Sequence, residues 1–225
     1  MIELYQCDCM DYMAQCGDKV FDLAIADPPY FNGPNKLGYY SASVSSSGVV
    51  RDGYKKTKDW DVPGQEYFDE LLRVSKNQII WGINYFNIKN LGPGRIIWDK
   101  VNLSSSFSDC EIAYTSCHDS IRLFTYMWNG MLQGKSIAEG RIQQGNKKLN
   151  EKRIHPTQKP VILYDWLLMK YVKPGMKIID THLGSGSIGI AAHRANVDLA
   201  GCEKTKEIFD SAKERIEAAQ NQLTF

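Results

Sequence analysis

The apolar run Phe21-Asp22-Leu23-Ala24-Ile25-Ala26 is broken at Asp27-Pro28-Pro29-Tyr30. The run reads as a buried strand. Proline lacks the backbone donor that a central strand uses, so two in succession force the chain out of a sheet at Asp27. A carboxylate, a fixed turn and an aromatic ring therefore stand at the carboxyl end of a strand, where open α/β sheets bind ligands. One chemistry suits them. An exocyclic amine on a purine or pyrimidine is a poor nucleophile, because its lone pair is delocalised into the ring. Asp27 can accept one amine hydrogen and the Pro28 carbonyl the other, while Pro29 fixes the turn. Both bonds favour a pyramidal nitrogen with a localised lone pair. Tyr30 offers a face for stacking a base, worth about 1–3 kcal/mol. The competing reading is a strand that ends in a Pro-Pro turn with a capping Asp.

The last third of the chain reads as a βαβ unit. A strand over 177–179 runs into the turn Asp180-Thr181-His182-Leu183-Gly184-Ser185-Gly186-Ser187, then a helix from Ile188 to Ala195. A second strand starts at Leu199 and leads to Glu203, 23 residues after Asp180. An acid at about that distance is the ribose-binding signature of nucleotide folds. The full three-glycine pattern is absent, so no pyrophosphate is expected. At the other end, a strand over 2–5 stops at Cys7-Asp8-Cys9, and a short helix follows around Met10–Met13. Asp8 then accepts from an adenine amine or serves as a helix N-cap. Between these ends, a helix is expected over 65–76 and strands over 78–81 and 95–98. Two β-rich runs, 110–115 and 121–128, suggest an antiparallel edge. Pro160 opens a helix that reaches Val172, and an amphipathic helix over 206–223 closes the chain.

Two irregular stretches separate these elements. Residues 31–64 carry Tyr39, Tyr40, Arg51, Tyr54, Lys55, Lys56 and Lys58, aromatics interleaved with basic groups as in nucleic-acid contacts. A solvated mobile loop is the alternative. From Lys135 to Lys159, seven Lys or Arg face only Glu139 and Glu151, a local balance of +5. That segment reads either as a phosphate-binding patch or as a solvated basic loop. The whole chain of 225 residues has a formal charge of only +1, so any nucleic-acid surface must be local. Its length and 43% hydrophobic content suit one domain over 1–225, with 31–64 and 129–153 as loop insertions. The first residues have no basic region or long apolar segment, so a cytoplasmic protein with no secretory signal and no membrane span is expected. Cys7, Cys9 and Cys16, like Cys110, Cys117 and His118, lack zinc spacing, and no metal is expected.

The motifs together give a resemblance. The chain resembles the β-group of DNA amino-methyltransferases, in which an Asp-Pro-Pro-Tyr motif comes first and the glycine loop late, a circularly permuted order. Asp27–Tyr30 matches the catalytic motif. Trp81-Gly82-Ile83-Asn84-Tyr85-Phe86 is similar to the family's Gly-Gly-Asn-aromatic turn, with Ile83 for the second glycine. His155-Pro156-Thr157-Gln158-Lys159-Pro160 matches the motif before the cofactor loop. Asp180–Ser187 resembles Asp-Pro-Phe-x-Gly-Ser-Gly, although Thr181 and His182 stand where Pro and Phe are commoner. The resemblance implies an α/β, Rossmann-like, mostly parallel seven-stranded sheet with helices on both faces. It implies S-adenosyl-L-methionine as cofactor, with Asp8 and Cys9 near its adenine and Glu203 and Lys204 near its ribose. Asp27, Asp180, His182, Gly184, Ser185 and Gly186 then line the methionine end, with Lys159 nearby. DNA is the implied substrate, adenine N6 the implied target, and a homodimer an open expectation. Phe31, Tyr39, Lys55, Lys56, Lys147, Lys148 and Arg153 are the residues expected to touch DNA. Cytosine N4, an RNA adenine, and a cofactor-binding DNA-recognition subunit are the alternatives.

Overall fold

The computed structural model describes residues 1–31, 43–44, 50–51, 61–102, 108–129, 132–155 and 157–222. Strands β1 (Ile2–Gln6) and β2 (Phe21–Ala26) flank helix α1 (Cys9–Ala14). The short strands β3 (Ser43–Val44) and β4 (Val50–Arg51) pair with each other. Helix α2 (Gln65–Val74) passes without a loop into β5 (Ser75–Trp81). Strands β6 (Arg95–Asp99), β7 (Cys110–Thr115) and β8 (Ile121–Thr125) follow, then the small pair β9 (Trp128–Asn129) and β10 (Leu132–Gln133). Helix α3 (Val161–Tyr171), β11 (Lys177–Asp180), α4 (Ser187–Ala195), β12 (Asp198–Glu203) and α5 (Lys206–Gln220) complete the order.

The main sheet runs β1-β12-β11-β2-β5-β7-β6-β8. It has eight strands where seven were expected. The anticipated antiparallel edge is instead one reversed strand, β7, lying inside the sheet between β5 and β6. Both edges of β7 are thereby taken. β8 passes to the far side of β6 and runs parallel to it. The expected strand over 121–128 also divides. The amide of Tyr126 donates to the Asp99 carbonyl and that of Met127 to the Gly140 carbonyl, so the chain leaves the sheet where β6 ends.

Period-two alternation decides which face each strand residue covers. Leu23, Ile25, Ile79, Trp81, Ile178 and Leu199 pack beneath α3, α4 and α5. Ala24, Ala26, Ile80, Ile179 and Ala200 face the other way, against Met13 of α1 and Phe68, Leu71 and Val74 of α2. Central strands covered on both faces explain the near-continuous apolar run of β2. Helix α2 ends earlier than its apolar spacing suggests. The Ser75 hydroxyl donates to the Leu71 carbonyl at 2.5 Å and terminates it. Helix α3 buries Val161, Leu163, Tyr164, Trp166, Leu167 and Leu168, which wrap most of its circumference.

Leu167 is fully buried in α3, whereas Met169 is 63% exposed two residues on. Leu167→Ala is expected to destabilise the fold by about 2–5 kcal/mol. Met169→Ala should stay within about 0.5 kcal/mol of the parent. Urea unfolding of the two variants checks the orientation of α3.

Candidate active site

The carboxyl ends of five parallel strands lie side by side. β1 leads to Asp8, β12 ends on Glu203, β11 ends on Asp180, β2 leads to Asp27, and β5 ends on Trp81. Because β7 runs the opposite way, its amino end joins the same rim and delivers Glu111. A row of carboxylates thus follows the sheet edge at which the Pro-Pro turn was expected to leave.

Lys159 sits between the acids at the β2 and β7 end of this rim. Its side chain is 5% exposed, with Nζ 2.5 Å from Asp27 Oδ2 and 3.0 Å from Glu111 Oε2. Trp81 lies beneath the ammonium, its ring centroid 5.6 Å away. The Lys159 carbonyl accepts from the Ser187 hydroxyl at 2.7 Å, which ties the lysine to the first turn of α4. Glu111 has a second cation, Lys100, at 3.3 Å. Burial pushes Glu111 up, but Lys159 and Lys100 together outweigh it and hold the carboxyl below its usual range. Asp27 has only a share in Lys159. Burial raises it, Lys159 pulls it back, and Glu111 adds to the rise, so it stays above the ordinary Asp value. Its second oxygen, Oδ1, is buried and has no hydrogen-bond partner among the described residues.

Tyr30 packs on the turn after β5. Gly82 adopts φ +69°, and a Cβ there would run into the Tyr30 ring. The turn also carries Tyr85, which stacks on Tyr30 with ring centroids 4.5 Å apart and planes 2° from parallel. Tyr85 is 58% exposed. Phe31 tilts against Tyr30 at 5.6 Å.

The glycine loop lies on the neighbouring strands. Gly184 and Gly186 take φ of +53° and +74°, backbone that L side chains rarely adopt. The Gly184 amide donates to Glu203 Oε2 at 3.1 Å and the Thr205 amide to Oε1 at 2.8 Å, so Glu203 fastens the loop to β12. Ser185 lies buried beside Ser187, with their hydroxyls 3.2 Å apart. The His182 amide donates to Asp180 Oδ1 at 2.9 Å. Burial, opposed by that bond, lifts Asp180 to about 7. Thr181 and His182 make a polar contact with α2: Tyr67 Oη is 2.6 Å from Thr181 Oγ1, and His182 Nδ1 is 3.0 Å from the same oxygen. Burial lowers His182 to about 4, so its ring is neutral near pH 7. Asp8 caps α1 through the Met10 amide and pairs with Lys204 at 2.9 Å, joining the ends of β1 and β12. Cys9 sits beside it, its thiol pushed up to about 12 by burial.

Comparison with known proteins finds relatives in sequence and in fold. Residues 110–214 match the family model described as DNA methylase. The chain is 27% identical to the Type II methyltransferase M2.MboI of Moraxella bovis, over 94% of this chain and 86% of the relative. It is 24% identical to the Type II methyltransferase M2.DpnII of Streptococcus pneumoniae, over 96% and 89%. The chain is thus similar, over nearly its full length, to Type II methyltransferases. Its fold matches the crystal structure of the M1.HpyAVI-SAM complex with a TM-score of 0.55 at 20% identity, covering 96% of this chain and all of that one.

The structure brings Asp27, Tyr30, Lys159, Asp180 and the glycine loop to one rim, and places Asp8, Cys9, Glu203 and Lys204 further along it. The residues expected to touch DNA are scattered. Tyr39, Lys55 and Lys56 lie outside the described residues. Lys147 and Lys148 form an exposed 3₁₀ turn, Lys147–Leu149. The Arg153 guanidinium lies 4.0 Å over the Trp128 ring. The local charge of the second irregular segment is smaller than its composition implies. Lys159 belongs to the rim, Arg141 pairs with Asp99 at 2.6 Å, and Lys135 pairs with Glu139 at 2.8 Å. The segment is also anchored: Glu151 accepts from the Val161 amide at 2.8 Å and from Arg215 at 2.6 Å. Sequence reasoning gave no role to Glu111, Lys100 or Tyr85. The signal for Glu111 was a charge next to the apolar stretch Ile112-Ala113-Tyr114, and for Tyr85 its place in the glycine turn.

Gly82→Ala is expected to destabilise the protein by about 1–3 kcal/mol, because the left-handed backbone and the Tyr30 ring both reject a Cβ. Thermal unfolding measures it. A melting temperature equal to the parent's would contradict the packing of Tyr30 on this turn.

Proposed function

We propose that the protein methylates adenine N6 in DNA, using S-adenosylmethionine and a target base turned out of the duplex. The observation that carries this reading is the division of labour within Asp27. Oδ2 is held by Lys159, while Oδ1 is buried, without a hydrogen-bond partner among the described residues, and at a strand end beside Tyr30. An unmatched buried acceptor is costly in a folded protein unless function employs it. An exocyclic amine supplies the missing donor, and the Pro28 carbonyl takes its second hydrogen. The nitrogen that gains the methyl group must shed a proton, and the raised Asp27 carboxyl is the acceptor nearest to it. Tyr30 stacks the base in place of Tyr85, which covers that ring in this structure, and extrusion of the base costs a few kcal/mol.

The cofactor reading rests on the loop after β11. The left-handed glycines let backbone approach a ligand closely, and Glu203 stands at the end of the next strand, where a ribose acceptor belongs. S-adenosylmethionine supplies an electrophilic methyl group at that edge. Asp8, Cys9 and Lys204 would border its adenine, Glu203 its ribose, and Asp180, His182, Gly184, Ser185 and Gly186 its methionine end. Lys159 joins the two halves of the site.

Adenine is favoured over cytosine by the aromatic lining, in which Phe31 stands at 59° to Tyr30 and offers a second wall beside a purine stacked on Tyr30. Phe31, Lys147, Lys148, Lys152 and Arg153 are proposed DNA contacts, with Tyr39, Lys55 and Lys56. Residues 31–64 and 129–153 form the DNA-contacting insertions of one methyltransferase domain. Among the described residues, no helix is long and apolar enough to cross a membrane. The outer strand β8 exposes Ile121 and Leu123, and a homodimer contact is proposed there.

Incubation with duplex DNA and methyl-labelled cofactor, followed by digestion to nucleosides, is expected to put the label in N6-methyladenine. Label in N4-methylcytosine would reject adenine, and label in RNA alone would reject DNA. Asp27→Asn should abolish transfer while calorimetry finds cofactor affinity within a few-fold of the parent. Near-normal turnover would contradict the role of Asp27. Neutralising Lys147, Lys148 and Lys152 together should flatten the salt dependence of DNA binding, each lost phosphate contact lowering the slope by about 0.9. An unchanged slope would return this segment to a solvated loop.

A further inference from the structure

We propose that Glu111, backed by Lys100, is a positioning residue that sets the ionisation of Asp27 through the lysine they share. This rests on Asp27 being the amine acceptor. Three contacts carry it. Lys159 Nζ lies 2.5 Å from Asp27 and 3.0 Å from Glu111, and Lys100 lies 3.3 Å from the other Glu111 oxygen. The four groups form an alternating row, Asp27, Lys159, Glu111, Lys100, drawn from β2, the segment before α3, β7 and the end of β6. All four side chains of that row are largely buried: Lys159 is 5% exposed, Lys100 12%, and Asp27 and Glu111 23% each.

The row has a direction. A single ammonium between two carboxylates satisfies both only in part. Lys100 assists Glu111 and not Asp27, so the uncompensated negative charge falls on Asp27. The consequence is chemical. A carboxyl that stays easy to protonate can take the proton shed by the amine, whereas a carboxylate fully paired with a lysine takes it poorly. Glu111 therefore keeps Lys159 from holding Asp27 too tightly, and Lys159 still keeps Asp27 oriented. The other titratable groups facing this row are Tyr30 on the same turn, Tyr164 on α3, Tyr67 on α2 and Asp180 on β11. Burial keeps the three phenols protonated, so they change no charge near neutral pH. Asp180 is itself pushed up to about 7, in part by Asp27, and is common to the parent and each variant below.

The sign of the effect follows. Glu111→Gln removes one negative neighbour and leaves Lys159 to Asp27 alone, so Asp27 should ionise at lower pH. Lys100→Met removes positive charge and makes Glu111 lean on Lys159, so Asp27 should ionise at higher pH. Shifts on the order of one pH unit are expected for charges at these distances.

The test is a carboxyl-carbon NMR titration of the full-length protein with labelled aspartate, the Asp27 signal being assigned by its loss in Asp27→Asn. Opposite displacements in Glu111→Gln and Lys100→Met support the proposal. Either variant alone, if the other fails to fold, still carries a predicted sign. No displacement, or displacement in the wrong direction, overturns it and leaves Glu111 a structural counter-ion. The pH profile of methyl transfer is then read on the same variants. If the NMR signal moves and the acidic limb of the profile moves with it, both readings stand. If the signal moves and the limb does not, Asp27 is not the proton acceptor, and the proposed mechanism fails while the electrostatic coupling survives.

Discussion

A lysine ammonium buried at the rim of a sheet is untenable unless carboxylates meet it, because an unpaired charge in such a place costs several kcal/mol. Lys159 meets two, and they arrive from strands of opposite direction. Asp27 comes from the carboxyl end of β2 and Glu111 from the amino end of β7. Both strand directions are needed to bring these acids together. The reversed strand, which departs from an otherwise parallel sheet, is therefore the feature that completes the site. Ser187 on the Lys159 carbonyl, and Glu151 on the first turn of α3, fix the segment that supplies the lysine.

The same rim divides into two chemical halves. On the side of β12 and β1, acids engage backbone amides or lysine: Glu203 with Gly184 and Thr205, and Asp8 with Met10 and Lys204. Those contacts shape a cradle around the glycine loop. On the side of β2 and β5, one oxygen of Asp27 has no donor among the described residues, beside an aromatic stack whose lower ring rests on Gly82. Asp180 lies between the halves. A methyl donor held in one half and an amine held in the other would meet there, which is the arrangement that positioning catalysis requires.

Much of this was legible from local pattern. The apolar run into Asp27, the glycine turn after Asp180 and the acid at Glu203 announce strand ends because proline and glycine act through the backbone. Helix spacing located α2 and α3 to within a few residues. What sequence could not show depended on pairing between distant strands. The run that holds β8 reads as β-rich, and the count of seven strands comes from the resemblance; what stayed hidden was that β8 pairs with β6 and not with β7, its neighbour in the chain. The end of α2 was missed because Val74 and Ser75 join helix to strand with no loop residues to mark the change. Lys159 was counted among basic loop residues because it adjoins them in sequence, although its side chain points into the sheet rim. Glu111 had no visible role until the direction of β7 was known. Tyr39, Lys55 and Lys56, proposed to contact DNA, lie outside the described residues, and their part in the account comes from composition alone.

The central claim is that the free oxygen of Asp27 is reserved for the amine of an extruded adenine. A crystal structure of the protein with a non-transferring cofactor analogue, bound to a duplex containing the sequence it methylates, tests this most directly. The account predicts an adenine outside the helix and over Tyr30, with N6 about 3 Å from Asp27 Oδ1 and from the Pro28 carbonyl. An extruded base whose amine is held by other groups, with Asp27 Oδ1 still unpartnered, would contradict it.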